Sequence, residues 1–442
     1  MARSEKNESS DPPPQASLDA PVAWFRVLAA FLIFIAAWGP SLGFGAFEFF
    51  YASDFLSNYS SSAISWIGSV QATLLITTGV IAGPLCDRGW LRVLLIVSSL
   101  GLVVGFMLLS LCRQYYQVFL TQGVLLGFSA GLAYTPALSV VSVSFAKYRA
   151  IAVGLASIGT SVGGVIYPIA IRRLIVTVGF PWTARILGFL NLFLAIASLS
   201  IFFSIAPSTA KTTGVLKLRE APKSSQALFQ PKAFIEPAFA LFAFAGLLQF
   251  LAFYIPVFFL PTYGIQHLGL SPDLAYYMVA VLNGSSAFGR TLPSLVADKT
   301  GPFPVLVVST FASSAILFGW IGVHNLGGFI AFVVLYGFFT GVFITCSPVC
   351  VTLKPISPDL SVFGTRLGMI LVCVGLGVLI GGPSAAALVK GDDYVKAQVF
   401  AAVIMAAAGV ALLYPWMVTE RARKADQQQQ QEAEREGMQE KV

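Results

Sequence analysis

From about residue 24 to residue 418 the chain runs through one sparsely charged apolar stretch after another. Each is about 20 residues long, the length a helix needs to cross the ~30 Å hydrocarbon layer of a bilayer. Backbone in hydrocarbon must satisfy its own hydrogen bonds, which leaves helices or closed barrels. The apolar runs are continuous and do not alternate with period two, so they predict helices rather than a barrel. Composition agrees. Of 442 residues, 57% are hydrophobic and 11% charged, against about 25% charged in soluble domains.

Bounded by charge, Gly or Pro, the runs predict twelve helices at roughly 24–50, 64–84, 91–111, 116–138, 150–172, 184–205, 237–260, 274–297, 304–323, 327–350, 364–389 and 397–418. The longest polar gap, 206–236, divides them into two groups of six, 24–205 and 237–418. The proline-rich tail 1–23 is polar and is no cleavable signal, because the apolar run after it is too long. The tail 419–442 is glutamine-rich and predicts a disordered or loosely helical segment. The expected fold is an all-α membrane protein, with twelve transmembrane helices in two six-helix pseudo-symmetric bundles.

The net charge of +7 would suggest nucleic acid in a soluble protein. Here the basic residues lie between spans and set orientation, so no nucleic-acid partner is expected. With Arg290 set aside and sides alternated, 20 Lys and Arg fall on the face that carries both tails. The other face has 6: Arg113, Arg172, Arg173, Arg185, Lys390 and Lys396. The positive-inside rule then puts both tails in the cytoplasm, with the plasma membrane the expected location. Asn58-Tyr59-Ser60 falls in the first external loop as a glycosylation acceptor. The five cysteines lie in or beside apolar segments and read as small buried residues, and no metal or other cofactor is expected.

The two halves repeat. GPLCDRGWLR (83–92) follows the second span, and GRTLPSLVADKTGP (289–302) follows the eighth. Asp87-Arg88 and Asp298-Lys299 are offset by 211 residues. Gly127-Phe128 and Gly337-Phe338 keep nearly the same offset, 210. Parallel six-helix halves suit a transporter whose solute sits between them near the mid-plane. In the loop, Gly83 permits close helix approach. Asp87 can pair with a cation or with a helix N-terminus of the neighbouring bundle, while Arg88 and Arg92 sit in the headgroup region. Such a contact made in one rocked state and broken in the other is a conformational latch, and Asp298 and Lys299 are its counterparts.

The spacing Gly83-x-x-x-Asp87-Arg88-Gly89-x-x-Arg92 resembles the loop signature of the major facilitator superfamily. Within it, SSAISWIGSVQ (61–71), GFSAGLAYTPALSVVSVSFAKYRAIAVGLASIGTSVGGVIYP (127–168), GFPWTARILGF (179–189) and NGSSAFGRTLPSLVADKTG (283–301) are similar to the monocarboxylate transporter group in its fungal branch. The resemblance implies a major facilitator fold, with the first, fourth, seventh and tenth helices around a solute cavity. Phe44, Phe47, Tyr134, Gln249, Phe253, Tyr254 and Thr345 are the candidate lining residues on those helices. The chain departs from animal proton–lactate members. Phe44 stands where they carry a lysine, and Ser286 where they carry an aspartate one turn before the arginine matched by Arg290. Their lactate chemistry is therefore not implied.

Ionisable groups at depth default to function. Arg290 lies inside the eighth span. It suits a carboxylate of the solute, or serves as structural partner of a buried carbonyl or of the nearby latch. Glu48 lies near the outer end of the first helix. It is either a proton-coupling group, since a carboxylate removed from water binds a proton more readily, or an interfacial acid. An intramembrane enzyme would need clustered catalytic groups, and the sequence has no HExxH and no Walker A loop. The expected function is secondary active transport of a small organic solute, a monocarboxylate or amphipathic metabolite, with protons as candidate co-substrate. Export of a fungal secondary metabolite, uptake of a vitamin-like or carboxylate nutrient, and a non-transporting receptor of the same fold are the alternatives.

Overall fold

The computed structural model describes residues 21–209, 230–389 and 393–439; residues 1–20 of the expected tail 1–23 and residues 210–229 of the expected linker 206–236 lie outside the described residues. Among the described residues, ten helical stretches are long and apolar enough to cross a membrane. Two facts raise that number to twelve. The stretch Arg149–Thr209 is two helices, because Gly179 inside it has φ 78° and ψ 167°. A side chain is strained at that φ and glycine is not, so the chain turns back there. Pro272–Thr300 is a helix of 29 residues, long enough to span, but its polar residues lower its hydropathy.

The first half holds α1 (Pro21–Phe55), α2 (61–87), α3 (Leu91–Leu109), α4 (Tyr115–Ser144), α5 (149–178) and α6 (180–209). The second holds α7 (Pro237–Gln266), α8 (Pro272–Thr300), α9 (Pro302–Trp320), α10 (Leu326–Val351), α11 (Phe363–Leu388) and α12 (Val395–Gln439). Local chemistry sets several starts. Ser60, Ser271 and Asn325 accept the N–H of Ala63, Leu274 and Gly328 at the heads of α2, α8 and α10. Proline opens α7, α8 and α9, where its missing N–H costs nothing. Of the two expectations for the C-terminal tail, disordered or loosely helical, the described residues are helical and continuous with α12, which runs to Gln439.

Two symmetric crossings join the halves: α2 with α11, and α5 with α8. Both are built on small residues. A Cβ at Gly83 would meet the carbonyl of Gly364, and one at Gly154 the carbonyl of Arg290. Backbones this close need glycine, which is how helices without a hydrophobic driving force gain contact in lipid. The expected loop glycine Gly83 therefore serves the crossing itself. By contrast, α1 and α7 make their extensive contacts only within their own halves. The halves are thus clasped along α2/α11 and α5/α8, starting from the face that carries both tails.

Gly83→Leu is expected to overpack the α2/α11 crossing and destabilise it by about 1–3 kcal/mol. The thermal midpoint of the purified protein should fall, and an unchanged midpoint would contradict the crossing.

Candidate functional site

Each crossing ends in a carboxylate from one half capping a helix of the other. Asp87, at the end of α2, accepts the N–H of Gly364 at 3.1 Å, the N–H of Thr365 at 2.7 Å and the Thr365 hydroxyl at 2.9 Å. Asp298, near the end of α8, accepts the N–H of Ala150 at 2.7 Å and of Ile151 at 3.0 Å, at the start of α5. The fifth helix of each half thus receives the acid of the opposite half. Helix N-termini carry free N–H donors and a partial positive charge, so a carboxylate is their natural partner. Of the two sequence expectations for Asp87, a cation or a helix N-terminus, the contact is with the N-terminus.

The start of α11 is itself held from behind. Arg366 forks onto Glu236 at 2.7 and 2.8 Å, donates to the carbonyl of Ile356 and lies 5.2 Å over the Phe239 ring. Sequence reasoning passed over this pair, because Glu236 sits in the linker region and Arg366 at a span boundary. Arg149 adds another interhalf bond, from its guanidinium to the Thr352 hydroxyl at 2.7 Å. Arg92 reaches over the Phe203 ring of α6, its Cζ 5.7 Å from the centroid, while Lys299 is exposed.

Deeper in, Arg290 is only 3% exposed. It lies eight residues before Asp298, about 12 Å along α8 at 1.5 Å per residue. Its guanidinium donates to the carbonyl of Ser157, the hydroxyl of Thr160 and the hydroxyl of Ser286. The first two lie on α5, so Arg290 straps the halves together. No carboxylate of the described residues lies in ion-pair range of it. Tyr134 of α4 and Tyr254 of α7 are both buried. The Tyr134 ring packs at 5.1 Å from Phe34 and 5.4 Å from Trp38, both on α1. Trp38 Nε1 and Ser157 Oγ are buried without hydrogen-bond partners.

Of the expected site residues, Arg290 thus lies where the halves meet, Tyr134 packs on α1 of the first half, and Tyr254 lies on α7 of the second. Phe253 stands edge-on to Tyr254 at 5.1 Å and stacked on Tyr336 at 6.3 Å. Other expected lining residues turn elsewhere. Gln249 donates to the Thr310 hydroxyl of α9 at 2.7 Å, inside its own half. Phe47 is fully buried against Tyr51 and Phe180. Phe44 packs where a Cβ of Gly68 on α2 would fall, and the Thr345 hydroxyl bonds back to Val342 of its own helix. Glu48 is half-buried and accepts the Ser65 hydroxyl of α2. Asn58 is exposed in the turn before α2. Sequence reasoning missed Phe34, Trp38, Ser157 and Thr160. The hydroxyl spacing Ser157-x-x-Thr160 within an apolar span was the available signal.

Comparison with known proteins agrees with this architecture. A profile of the Major Facilitator Superfamily matches residues 27–355. The MFS-type transporter dbaD of Emericella nidulans is 39% identical over 369 residues, which is 84% of this chain and 80% of that protein. The aspyridones efflux protein apdF of the same species is 35% identical and covers 93% of this chain and 82% of its own length. The agnestins efflux protein AgnL12 of Paecilomyces divaricatus is 34% identical, with 93% and 91% covered. The crystal structure of the human organic anion transporter MFSD10 aligns with TM-score 0.66 at 14% identity, over 88% of this chain and 98% of that one. The proton:xylose symporter XylE aligns at 0.67 and 14%, over 89% and 95%. At that identity the two structures speak for the fold alone. The profile, the relatives and the paired six-helix halves agree: the chain is a multi-pass membrane transporter, not an enzyme, and belongs to the Major Facilitator Superfamily.

Proposed function

We propose that the chain exports an amphipathic organic acid, of the class of fungal secondary metabolites, by alternating access between its two halves. The observation that carries this reading is Arg290. A buried cation with no counter-charge is costly, by several kcal/mol. Arg366 shows how the same fold treats an arginine whose role is structural alone, by pairing it with Glu236. Arg290 has only neutral oxygens. An acidic group of a solute supplies what is missing.

Tyr134, Tyr254, Phe253, Phe34 and Trp38 offer a broad aromatic surface to the solute's apolar body, larger than lactate requires. Trp38 Nε1 and Ser157 Oγ offer bonds to its neutral oxygens. The names of two relatives, efflux proteins for aspyridones and agnestins, support export over uptake. The excess of Lys and Arg on the tail face supports cytoplasmic tails in the plasma membrane, which puts the exposed Asn58 outside, open to glycosylation. Asp87 and Asp298, with Gly83, Arg88, Arg92 and Lys299 around them, form the latch that holds the cytoplasmic face shut. Protons are the co-substrate, and Glu48 is the group that exchanges them, its contact with Ser65 tying that exchange to the α1/α2 packing.

Cells with and without the gene, compared for metabolites inside and in the medium, test direction. Loss of the gene should raise an acidic metabolite inside and lower it outside; the reverse would indicate uptake. In proteoliposomes, Arg290→Ala should lower flux of that metabolite by about 100-fold or more, the cost of leaving a charge-paired group without its partner. Unchanged flux would remove Arg290 from the site. Glu48→Gln should flatten the pH dependence of net flux, and a retained response would eliminate that role.

A further inference from the structure

The chain has two histidines in 442 residues, and the fold brings them together. His267 ends α7, and His324 lies in the loop between α9 and α10. Both α7 and α9 start on the tail face, so the pair lies on the opposite one. The ring centroids are 5.9 Å apart, and both residues are exposed. The two positions are 57 residues apart in sequence, with no motif spacing to announce them.

Tyr263 holds the two places together. It lies one turn before His267 and donates its hydroxyl to the carbonyl of Val323, the residue before His324, at 2.6 Å. The His267 ring stacks on the Tyr263 ring at 4.8 Å. The His267 N–H donates to the Tyr263 carbonyl at 2.9 Å, and Asn325, the residue after His324, caps α10. Tyr263 is itself buried, with the rings of Trp320 and Phe329 against it. Both imidazoles therefore stand on fixed backbone, as a preorganised pair requires.

We infer that His267 and His324 form an exchangeable site for a divalent transition metal ion of the Zn²⁺ or Cu²⁺ class. Imidazole suits those ions, whereas Mg²⁺ and Ca²⁺ take oxygen ligands. An imidazole nitrogen holds Zn²⁺ at about 2.0–2.1 Å, which sets two rings sharing one ion about 5–6 Å apart between centroids. The observed spacing lies in that range. Among the described residues no group of three or more His, Cys, Asp and Glu is placed to hold a metal. Water therefore takes the remaining positions, and the site stays open rather than closed. The ion ties the end of α7 to the α9–α10 loop. Pro256 and Pro261 inside α7 remove backbone bonds on the way to that end, so it is the part of the helix that a tie steadies most.

The test uses the purified full-length protein without an affinity tag, in detergent. Titration calorimetry with ZnCl₂ and, separately, CuCl₂ reads binding, and the thermal midpoint reads the tie. The wild-type protein should bind the metal and gain in midpoint. His267→Gln and His324→Gln should each weaken binding by about tenfold or more and lose the gain. Both positions are exposed, so the metal-free midpoints should match the wild type. His324→Cys, which keeps a metal ligand, should retain binding. No binding of either ion by the wild-type protein, or equal binding by the Gln variants, would overturn the inference.

Discussion

The architecture depends on a reciprocal exchange of carboxylates between the two halves. Asp87 from the first half caps α11 of the second, and Asp298 from the second caps α5 of the first. Hydrogen bonds to a charged group contribute about 1.5–3 kcal/mol each, and here they are made where close crossings limit water. The small residues of α2/α11 and α5/α8 bring the helices near enough for the acids to reach. These caps join different halves, so they stabilise only the arrangement in which the tail face is closed. A rigid-body rotation that opens this face must break both together, which suits a two-state transporter.

Much of this was legible in the sequence, and the gaps have physical causes. The twelve spans follow from hydropathy and chain length, and the repeat from Asp87 and Asp298 at equivalent positions. The partners of those acids were harder to foresee, because the N–H groups of Gly364, Thr365, Ala150 and Ile151 carry no sequence signature of their own. Which side chains of a helix look inward is harder to read, because the face of a helix is set by tertiary packing. A nearly uniformly apolar helix such as α7 gives no amphipathic clue, so Gln249 could not be assigned to Thr310 in advance. Trp38 sits in an apolar run and looks like any packing residue. Only the structure shows its contact with Tyr134 and its unpartnered Nε1.

The contrast between two buried arginines links stability to function. Arg366, neutralised by Glu236, steadies the start of α11, and through it the site that Asp87 caps. Arg290, on neutral oxygens, joins α8 to α5 in the state with the tail face closed. Its bonds to Ser157 and Thr160 are made with the very groups a solute would displace. If the solute is the acid proposed above, its binding and the interhalf contact would be coupled at this one side chain, by exchange of one set of acceptors for another.

The most direct test of the reciprocal caps is a distance measurement. Spin labels placed at the tail-face ends of the two halves, read by pulsed dipolar spectroscopy, compare the wild-type protein with Asp87→Ala/Asp298→Ala in the same bilayer. The caps predict that the double variant shifts the population from the short interhalf distance to a longer one. An unchanged distance distribution would show that the halves are held closed by something else.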